Sequence, residues 1–307
     1  MSLEKNKNLI SVVGPTAIGK TALAVKLAKH FDTEIISGDS RQFYKEMSIG
    51  TAVPTKEELS QAKHHFIQHK SITEDYNVGM FERDAIECIQ TLFKTRDIVI
   101  MVGGSGLYIK AITEGLDDFP EVDPSIRENL NTKYSLEGLS SLQEQLNFLD
   151  PIAYKTIAID NPHRIIRALE VCLGTGLPYS SFLGKKKETR NFRTISIGLT
   201  AERDVIYEII NKRVDIMMEE GLLDETKYLK DYRHLNAMNT VGYKELFNYL
   251  DGQCTLEFAI SEIKKNTRRF AKRQLTWFKK QEDIIWFDHI TPVEEIINKI
   301  ETQIIEK

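Results

Sequence analysis

The sequence predicts an α/β fold, a parallel sheet flanked by helices and carrying a helical insertion, on three observations. An apolar run, Leu9-Ile-Ser-Val-Val13, feeds the loop Gly14-Pro-Thr-Ala-Ile-Gly-Lys-Thr21, and a helix-forming run, Ala22 to His30, leaves it. Strand-like and helix-like stretches then alternate through the first third of the chain, as expected where crossover helices cover a parallel sheet. From about Leu116, by contrast, Pro120, Pro124, Pro151, Pro162 and Pro178 punctuate helical segments with no convincing strand among them.

Each element follows from local chemistry. The first loop fits G-x-x-x-x-G-K-[ST], the phosphate-binding pattern of P-loop NTPase-like folds. Its glycines let backbone N–H groups turn onto phosphate oxygens, and the helix N-terminus that follows adds partial positive charge. The whole loop is expected to wrap the anion: Gly14, Pro15, Thr16, Ala17, Ile18, Gly19, Lys20 and Thr21. Lys20 would hold the most charged phosphate, and the Thr21 hydroxyl would ligate Mg²⁺. Glu34-Ile-Ile-Ser37 reads as a second strand and Ile98-Val-Ile-Met-Val102 as a third, with a helix from Phe81 to Lys94 between them. Their trailing loops, Gly38-Asp-Ser40 and Gly103-Gly-Ser-Gly106, should meet the phosphate loop at the carboxyl edge of the sheet. Thr194-Ile-Ser-Ile-Gly-Leu199 reads as a strand returning to the sheet. A helix from Asp204 to Glu220 follows, with Ile206, Ile210, Val214 and Met217 at helical spacing and Gly221 as its stop. The C-terminal third reads as helical. The expected organisation is therefore a first core portion at 1–115, a helical insertion at 116–190, and a return to the core with basic helices at 191–307.

Bulk properties narrow the function. The 307 residues are 41% hydrophobic, enough for a sizeable core, and the formal charge of −4 argues against a uniformly basic nucleic-acid binder. No apolar run approaches the roughly 18 residues that cross a membrane, and no secretory signal precedes the first strand. A cytoplasmic protein without membrane association, acting as a monomer, is expected. Cys88, Cys172 and Cys254 are far apart and form no C-x-x-C pair, so they read as reduced space-filling thiols.

Asp39 lies two residues beyond the second strand, facing the phosphate loop across the sheet edge, where it would serve as a general base toward whatever attacks the bound phosphate compound. Capping of the next turn is its alternative role. The third strand runs into Gly103 without the carboxylate that organises Mg²⁺ in ATP-hydrolysing relatives of this fold. Asn211-Lys-Arg-Val-Asp215 has one residue too many for a guanine-reading N-K-x-D. Arg213, just after the returning strand, is a candidate clamp on a leaving phosphate, against a surface salt bridge as the default. Lys264-Lys-Asn-Thr-Arg-Arg-Phe-Ala-Lys-Arg273 places Lys264, Arg268 and Lys272 in one row and Lys265, Arg269 and Arg273 in the next. Ile263, Phe270 and Trp277 are expected to anchor that helix to the core, leaving a basic ridge for a phosphate backbone. Lys185-Lys-Lys187 with Arg190 and Arg193 forms a second basic patch. His64, His65 and His69 lack a companion ligand and read as surface or packing residues.

Several separated motifs together resemble the bacterial tRNA dimethylallyltransferase (tRNA isopentenyltransferase) family: the phosphate loop; Ser37-Gly-Asp-Ser-Arg-Gln-Phe-Tyr44 with Ile49-Gly-Thr-Ala52; Val102-Gly-Gly-Ser-Gly-Leu-Tyr108; Asp160-Asn-Pro-His-Arg-Ile-Ile-Arg-Ala-Leu-Glu-Val171; Val241-Gly-Tyr-Lys-Glu245; and Ala271-Lys-Arg-Gln-Leu-Thr-Trp277. The resemblance implies that a dimethylallyl group moves from its diphosphate to N6 of adenosine 37 in tRNAs reading codons that begin with U. The phosphate loop would then hold dimethylallyl diphosphate, with Mg²⁺, rather than ATP. It further implies Asp39 as base, with Lys20 and Arg213 on the leaving diphosphate. Contacts to the tRNA anticodon stem-loop are implied for Asp39, Ser40, Arg41 and Gln42, and for Ser105 and Arg127. The same holds for His163, Arg164, Ile165, Ile166 and Arg167, and for Asn239, Gly242, Tyr243 and Lys244. Three positions depart from the family pattern: Ser105 stands where Thr is usual, Gly38 replaces a usual Ala and loosens the backbone before the base, and Asn239-Thr-Val241 replaces a Gln-containing run. A small-molecule kinase with the same loop, or a non-catalytic tRNA-binding protein, are the alternative readings. The first would consume ATP, and the second would bind tRNA without product.

Overall fold

In a computed structural model, residues 7–184 and 190–306 are described. Those up to Thr113 and from Arg190 onward form one compact unit, and those from Glu114 to Gly184 another.

The first unit opens with β1 (Asn8–Val13), α1 (Lys20–His30), β2 (Ile35–Ser37), α2 (Lys56–Gln61), β3 (His64–His65), α3 (Val78–Leu92), β4 (Ile98–Val102) and α4 (Gly106–Thr113). The second unit holds α5 (Pro124–Leu149), α6 (Pro151–Thr156) and α7 (Pro162–Thr175). The first unit then resumes with β5 (Arg193–Thr200), α8 (Arg203–Glu219), α9 (Leu222–Tyr228), α10 (Tyr243–Leu250), α11 (Leu256–Phe278), β6 (Ile284–Asp288) and α12 (Val293–Ile305). The sheet is parallel throughout, in the order β3-β2-β4-β1-β5-β6. Sandwiched between β4 and β5, β1 is buried along its whole length, which is why it reads as a continuous apolar run rather than an alternating one.

Two strands escape the sequence reading. β3 is a two-residue edge strand formed by His64 and His65, too short to give any periodicity. β6 corrects the all-helical reading of the C-terminal third: Ile284-Ile-Trp-Phe-Asp288 pairs with β5 from Ser196 to Thr200. A short apolar run flanked by two helices is ambiguous by pattern alone, and its partner lies about ninety residues back. The histidines pack locally. His65 Nε2 lies 2.6 Å from Glu34 Oε2, and the His69 ring is edge-on to Phe43, Phe66 and Tyr76.

The second unit is built on helix-start chemistry. Asp123, Asp150 and Asn161 accept backbone N–H bonds at the N-termini of α5, α6 and α7, and each is followed by a proline in the first turn. Proline has no N–H to lose there and arrives with helical φ. Its core comprises Leu130, Leu142, Leu146, Ala153, Ile165, Ile166, Ala168 and Leu169. α5 breaks at Gly138, whose φ is 79°.

The basic helix α11 turns a different face inward than expected. Ala259, Ile263, Ala271, Gln274 and Phe278 are buried, while Phe270 and Trp277 are 37% and 38% exposed. The inward residues follow a 3-4 spacing, whereas a strict seven-residue repeat drifts around a straight helix. Two of the six ridge cations are also neutralised within the fold, and a third is engaged by a neutral amide. Lys264 pairs with Asp215 at 2.6 Å and Lys265 with Glu262 at 2.5 Å, and Arg268 donates to Asn211 Oδ1 at 2.7 Å. Lys272 and Arg273 remain exposed. Of the second basic patch, two members are described. Arg190 is tied to Glu82 and to the Ala111 and Ile112 carbonyls, and Arg193 to the Gln303 carbonyl; Lys185, Lys186 and Lys187 lie outside the described residues.

Candidate active site

The phosphate loop is set by backbone geometry. Gly14 leaves β1 at φ 143°, and a Cβ there would lie 2.5 Å from the Leu199 carbonyl oxygen of β5. Gly19 caps α1 in the left-handed region at φ 97°. The first-turn amides of α1 therefore have no intrahelical acceptor and point along the helix axis, the arrangement that binds anions. Two loop residues supply less than expected. Pro15 has no N–H and instead offers its carbonyl to Lys20 Nζ at 2.6 Å. Ile18 packs its side chain in the core at 4% exposure, leaving only its backbone to a ligand.

Thr16, Ala17, Gly19, Lys20 and Thr21 line one cavity of about 460 Å³ together with Asp39, Gln42 and Arg213. β1, β2 and α8 thus bring the three residues expected to do chemistry to one place. Burial pushes the Lys20 ammonium down to about 8; the Asp39 carboxylate opposes that fall and the Arg213 charge adds to it. Burial likewise lowers Arg213, with Asp39 and Glu58 opposing. Arg213 is thus no surface salt bridge. Asp39 Oδ1 accepts the Arg41 N–H at 3.0 Å, so one oxygen caps the turn while the residue still borders the cavity. Ile49, Ala52, Val53 and Pro54, with Ile216 and Met217 of α8, add apolar lining to the same cavity.

Three residues that sequence reasoning did not single out hold functional positions in place. Gln274 of α11, 5% exposed, accepts the Thr16 N–H at 2.8 Å and donates to the Gly104 carbonyl at 2.9 Å, bridging the phosphate loop to the loop after β4. A Cβ on Gly104 or Gly106 would collide with Gln274 or Trp277, the physical reason these glycines accompany that glutamine and tryptophan. Glu225 of α9 anchors the segment that carries Ile49. Glu170 of α7 holds two arginines of the second unit, as described below.

The remaining predicted contacts sort by exposure. Ser105 Oγ accepts the Ser40 N–H at 3.1 Å and lies 3.1 Å from Ser40 Oγ. Gln42 spends its amide donor on the Thr51 and Ala52 carbonyls, so it shapes the wall. Gly38 donates its N–H to the Val102 carbonyl at 2.7 Å, and a Cβ there would lie 2.8 Å from Ile109 Cδ1. In the second unit His163 and Arg164 are exposed at the start of α7. Ile165 and Ile166 are 0% and 3% exposed, so their side chains build its core and cannot reach a ligand. Arg127 and Arg167 both bind the Glu170 carboxylate, at 2.7 and 3.1 Å. Burial works to raise that carboxyl, but the two arginines outweigh it and hold it below the usual range. The Arg167 guanidinium also lies over the Phe119 ring at 5.1 Å. In the C-terminal region Tyr243 is fully buried, its hydroxyl donating to Glu225 Oε1 at 2.6 Å, which removes its side chain from any contact surface. Gly242, at φ 107°, opens α10. Asn239 and Lys244 line a second cavity of about 450 Å³ with Asn266 and Arg273. Among the described residues no helix is long and apolar enough to cross a membrane.

Comparison with known proteins agrees with this geometry. The model of a family described as IPP transferase matches residues 42–281. The chain is 60% identical over 296 residues to a tRNA dimethylallyltransferase of Christiangramia forsetii, covering 96% of this chain and 98% of that one. It is 58% identical over 300 residues to a tRNA dimethylallyltransferase of Flavobacterium johnsoniae, covering 96% and 97%. Among solved structures, the full-length tRNA isopentenylpyrophosphate transferase of Bacillus halodurans superposes with a TM-score of 0.73 at 40% identity, covering 98% of this chain and 97% of that one. A eukaryotic dimethylallyltransferase acting on tRNA superposes with a TM-score of 0.79 at 26% identity, covering 92% and 74%. A phosphate cradle beside a carboxylate and an apolar wall, in a chain matched over nearly its full length, leads to one assignment: this chain belongs to the IPP transferase family.

Proposed function

We propose that this protein transfers the dimethylallyl group of dimethylallyl diphosphate to N6 of adenosine 37 in tRNAs reading codons that begin with U, releasing diphosphate. The observation that carries the reading is a single cavity in which phosphate loop, Lys20, Arg213 and Asp39 meet an apolar wall of Ile49, Val53, Pro54 and Met217. The charged lining suits a diphosphate and the apolar lining a short hydrocarbon.

The chemistry follows from the placement of charge. Adenine N6 is a weak nucleophile because its lone pair is delocalised into the ring. As N6 bonds to the allylic carbon it becomes acidic, and Asp39 takes the proton. The breaking C–O bond leaves negative charge on the diphosphate, which Lys20, Arg213 and the amides at the start of α1 absorb. The donors offered here are hard oxygens, the Thr21 hydroxyl and the Asp39 carboxylate lining the cavity. That set fits Mg²⁺, which keeps waters and binds through few protein oxygens plus substrate phosphates. Thr21 would hold it, and when bound it would add positive charge at the diphosphate. Adenosine 37 is stacked in the anticodon loop, so it is flipped outward to react. Arg127, His163, Arg164, Arg167, Ser40, Arg41, Asn239 and Lys244 supply polar contacts to the stem-loop. The protein works as a cytoplasmic monomer.

The test combines purified protein, Mg²⁺, dimethylallyl diphosphate and a tRNA carrying adenosines at positions 36, 37 and 38, followed by nucleoside analysis and diphosphate release. Prenylated adenosine is expected, and Asp39→Ala should lower its rate by about 10²–10⁴. ATP consumption with a small acceptor, or tight tRNA binding without product, would replace this reading with a kinase or a binding protein.

A further inference from the structure

Part of the apolar lining of the cavity has no strand or helix to hold it. Ser48, Ile49, Ala52, Val53 and Pro54 lie in an irregular segment between β2 and α2. Its conformation is fixed from a distant part of the chain. Glu225 Oε2 accepts the Ser48 N–H at 3.0 Å and the Ile49 N–H at 2.9 Å, while Oε1 accepts the Gly50 N–H at 2.9 Å and the Tyr243 hydroxyl at 2.6 Å. A single carboxylate thus receives four hydrogen bonds, all strengthened by its charge. Gly50 lies directly on the Tyr243 ring, where a Cβ would come within 2.6 Å of the ring atoms. From the opposite side, the Gln42 amide donates to the Thr51 and Ala52 carbonyls.

From this geometry we infer that Glu225 is a positioning residue for the hydrocarbon part of the donor: it fixes the backbone of residues 48–50 so that Ile49 and the residues after it stand preformed against α8. It has no part in holding the phosphates, which belong to the loop at 14–21. The inference rests on the donor reading above and separates the cavity into two independently held halves.

The consequence is a variant that discriminates between two ligands sharing one head group. Calorimetric titration of the full chain with dimethylallyl diphosphate, and separately with inorganic diphosphate, both with Mg²⁺, reads each half. In Glu225→Gln an amide NH₂ faces N–H donors, so binding of dimethylallyl diphosphate should weaken about tenfold while binding of inorganic diphosphate stays within about twofold. In turnover the donor KM should rise, with kcat at saturation and the tRNA KM little changed, a split that general destabilisation would not produce. Equal weakening for both ligands, or unchanged binding of both, overturns the inference. If the wild-type chain itself bound the two ligands equally, the donor reading would fail, and the inference with it, a result distinct from a normal wild type with a silent variant. Hydrogen exchange of the wild-type chain needs no variant to fold: the Ser48, Ile49 and Gly50 amides should be protected before any ligand is added, and free exchange at all three would refute a preformed wall.

Discussion

The phosphate loop and the segment at 48–55 line the same cavity, yet they are held in opposite ways. The loop is fixed by its own sequence neighbours: β1 enters it, α1 leaves it, and Gly14 and Gly19 take φ values of 143° and 97° that other residues rarely adopt. The wall segment is fixed by a carboxylate more than 170 residues away and by a phenol further on. The first kind of site is written as spacing within eight residues. The second is written as a single acid in an unremarkable helix, Leu222-Leu-Asp-Glu-Thr-Lys-Tyr228. Local devices travel as motifs; non-local ones are recognised only once the chain is folded.

The largest effect expected from breaking the local half is at Lys20. Lys20→Met removes the cation proposed to sit beside the leaving diphosphate and should lower turnover by about 10²–10⁴. The same substitution should stabilise the fold, because the ammonium is buried at a loss. Its proton leaves near 8 in the folded chain against 10.5 as the ordinary value. Below pH 8 both states carry the charge and the folded state bears the full burial penalty. Between 8 and 10.5 the unfolded chain binds more protons, so wild-type stability rises with pH until the penalty is gone. Lys20→Met should therefore be more stable than wild type by about 1 kcal/mol at pH 7, with the gap closing between pH 8 and 10.5. Urea unfolding across that range checks the sign, and equal stability at pH 7 would show that the ammonium is not strained.

The same division explains what was legible in the sequence. β1, β2, β4 and β5 are buried apolar runs, all but β5 running into glycine-bearing loops; the proposed site residues Lys20, Thr21 and Asp39 follow β1 and β2 at short range, and Arg213 lies on the helix after β5. The basic ridge of α11 was only half readable, since the groups that engage Lys264 and Arg268, the carboxylate of Asp215 and the amide of Asn211, sit on α8. Tyr243, Ile165 and Ile166 belong to motifs whose resemblance implies tRNA contact, but a motif does not say which of its members point outward. Three such members are buried. Glu225 lies in none of the motifs, and Gln274 and Glu170 lie in motifs that do not announce their roles, because the meaning of all three lies in what they join.

In the second unit the comparison can be sharpened on side chains rather than backbone. Arg127 and Arg167 share the Glu170 carboxylate, which is 8% exposed while the arginines are 46% and 38% exposed. Each guanidinium thus keeps outward donors for a phosphate. Arg167→Ala should weaken tRNA binding severalfold and reduce the slope of log affinity against log salt by about 1. Filter binding of unmodified tRNA at several salt concentrations reads both numbers. An unchanged slope would mean that the arginine serves only the internal pair and the Phe119 ring.

The smallest effect is expected one residue before the proposed base, and it bears on how tightly the local half is built. Gly38 donates its N–H to the Val102 carbonyl at 2.7 Å, and its φ lies outside the left-handed region. A Cβ there would meet Ile109 Cδ1 at 2.8 Å, but that atom is the free end of a side chain able to rotate, and the next neighbour, the Val102 carbonyl oxygen, is at 3.6 Å. Gly103, directly opposite, has no such latitude, since its Cβ would lie 2.6 Å from the Gly38 carbonyl oxygen. Gly38→Ala also restricts the unfolded chain, a gain of about 0.4–1 kcal/mol set against a displaced Ile109 methyl. The two nearly cancel, so thermal stability should shift by only a few tenths of a kcal/mol and turnover should stay within about twofold. A loss of several kcal/mol would mean that Ile109 is immovable, and that the turn carrying Asp39 is held by packing from α4 as firmly as the phosphate loop is held by its glycines.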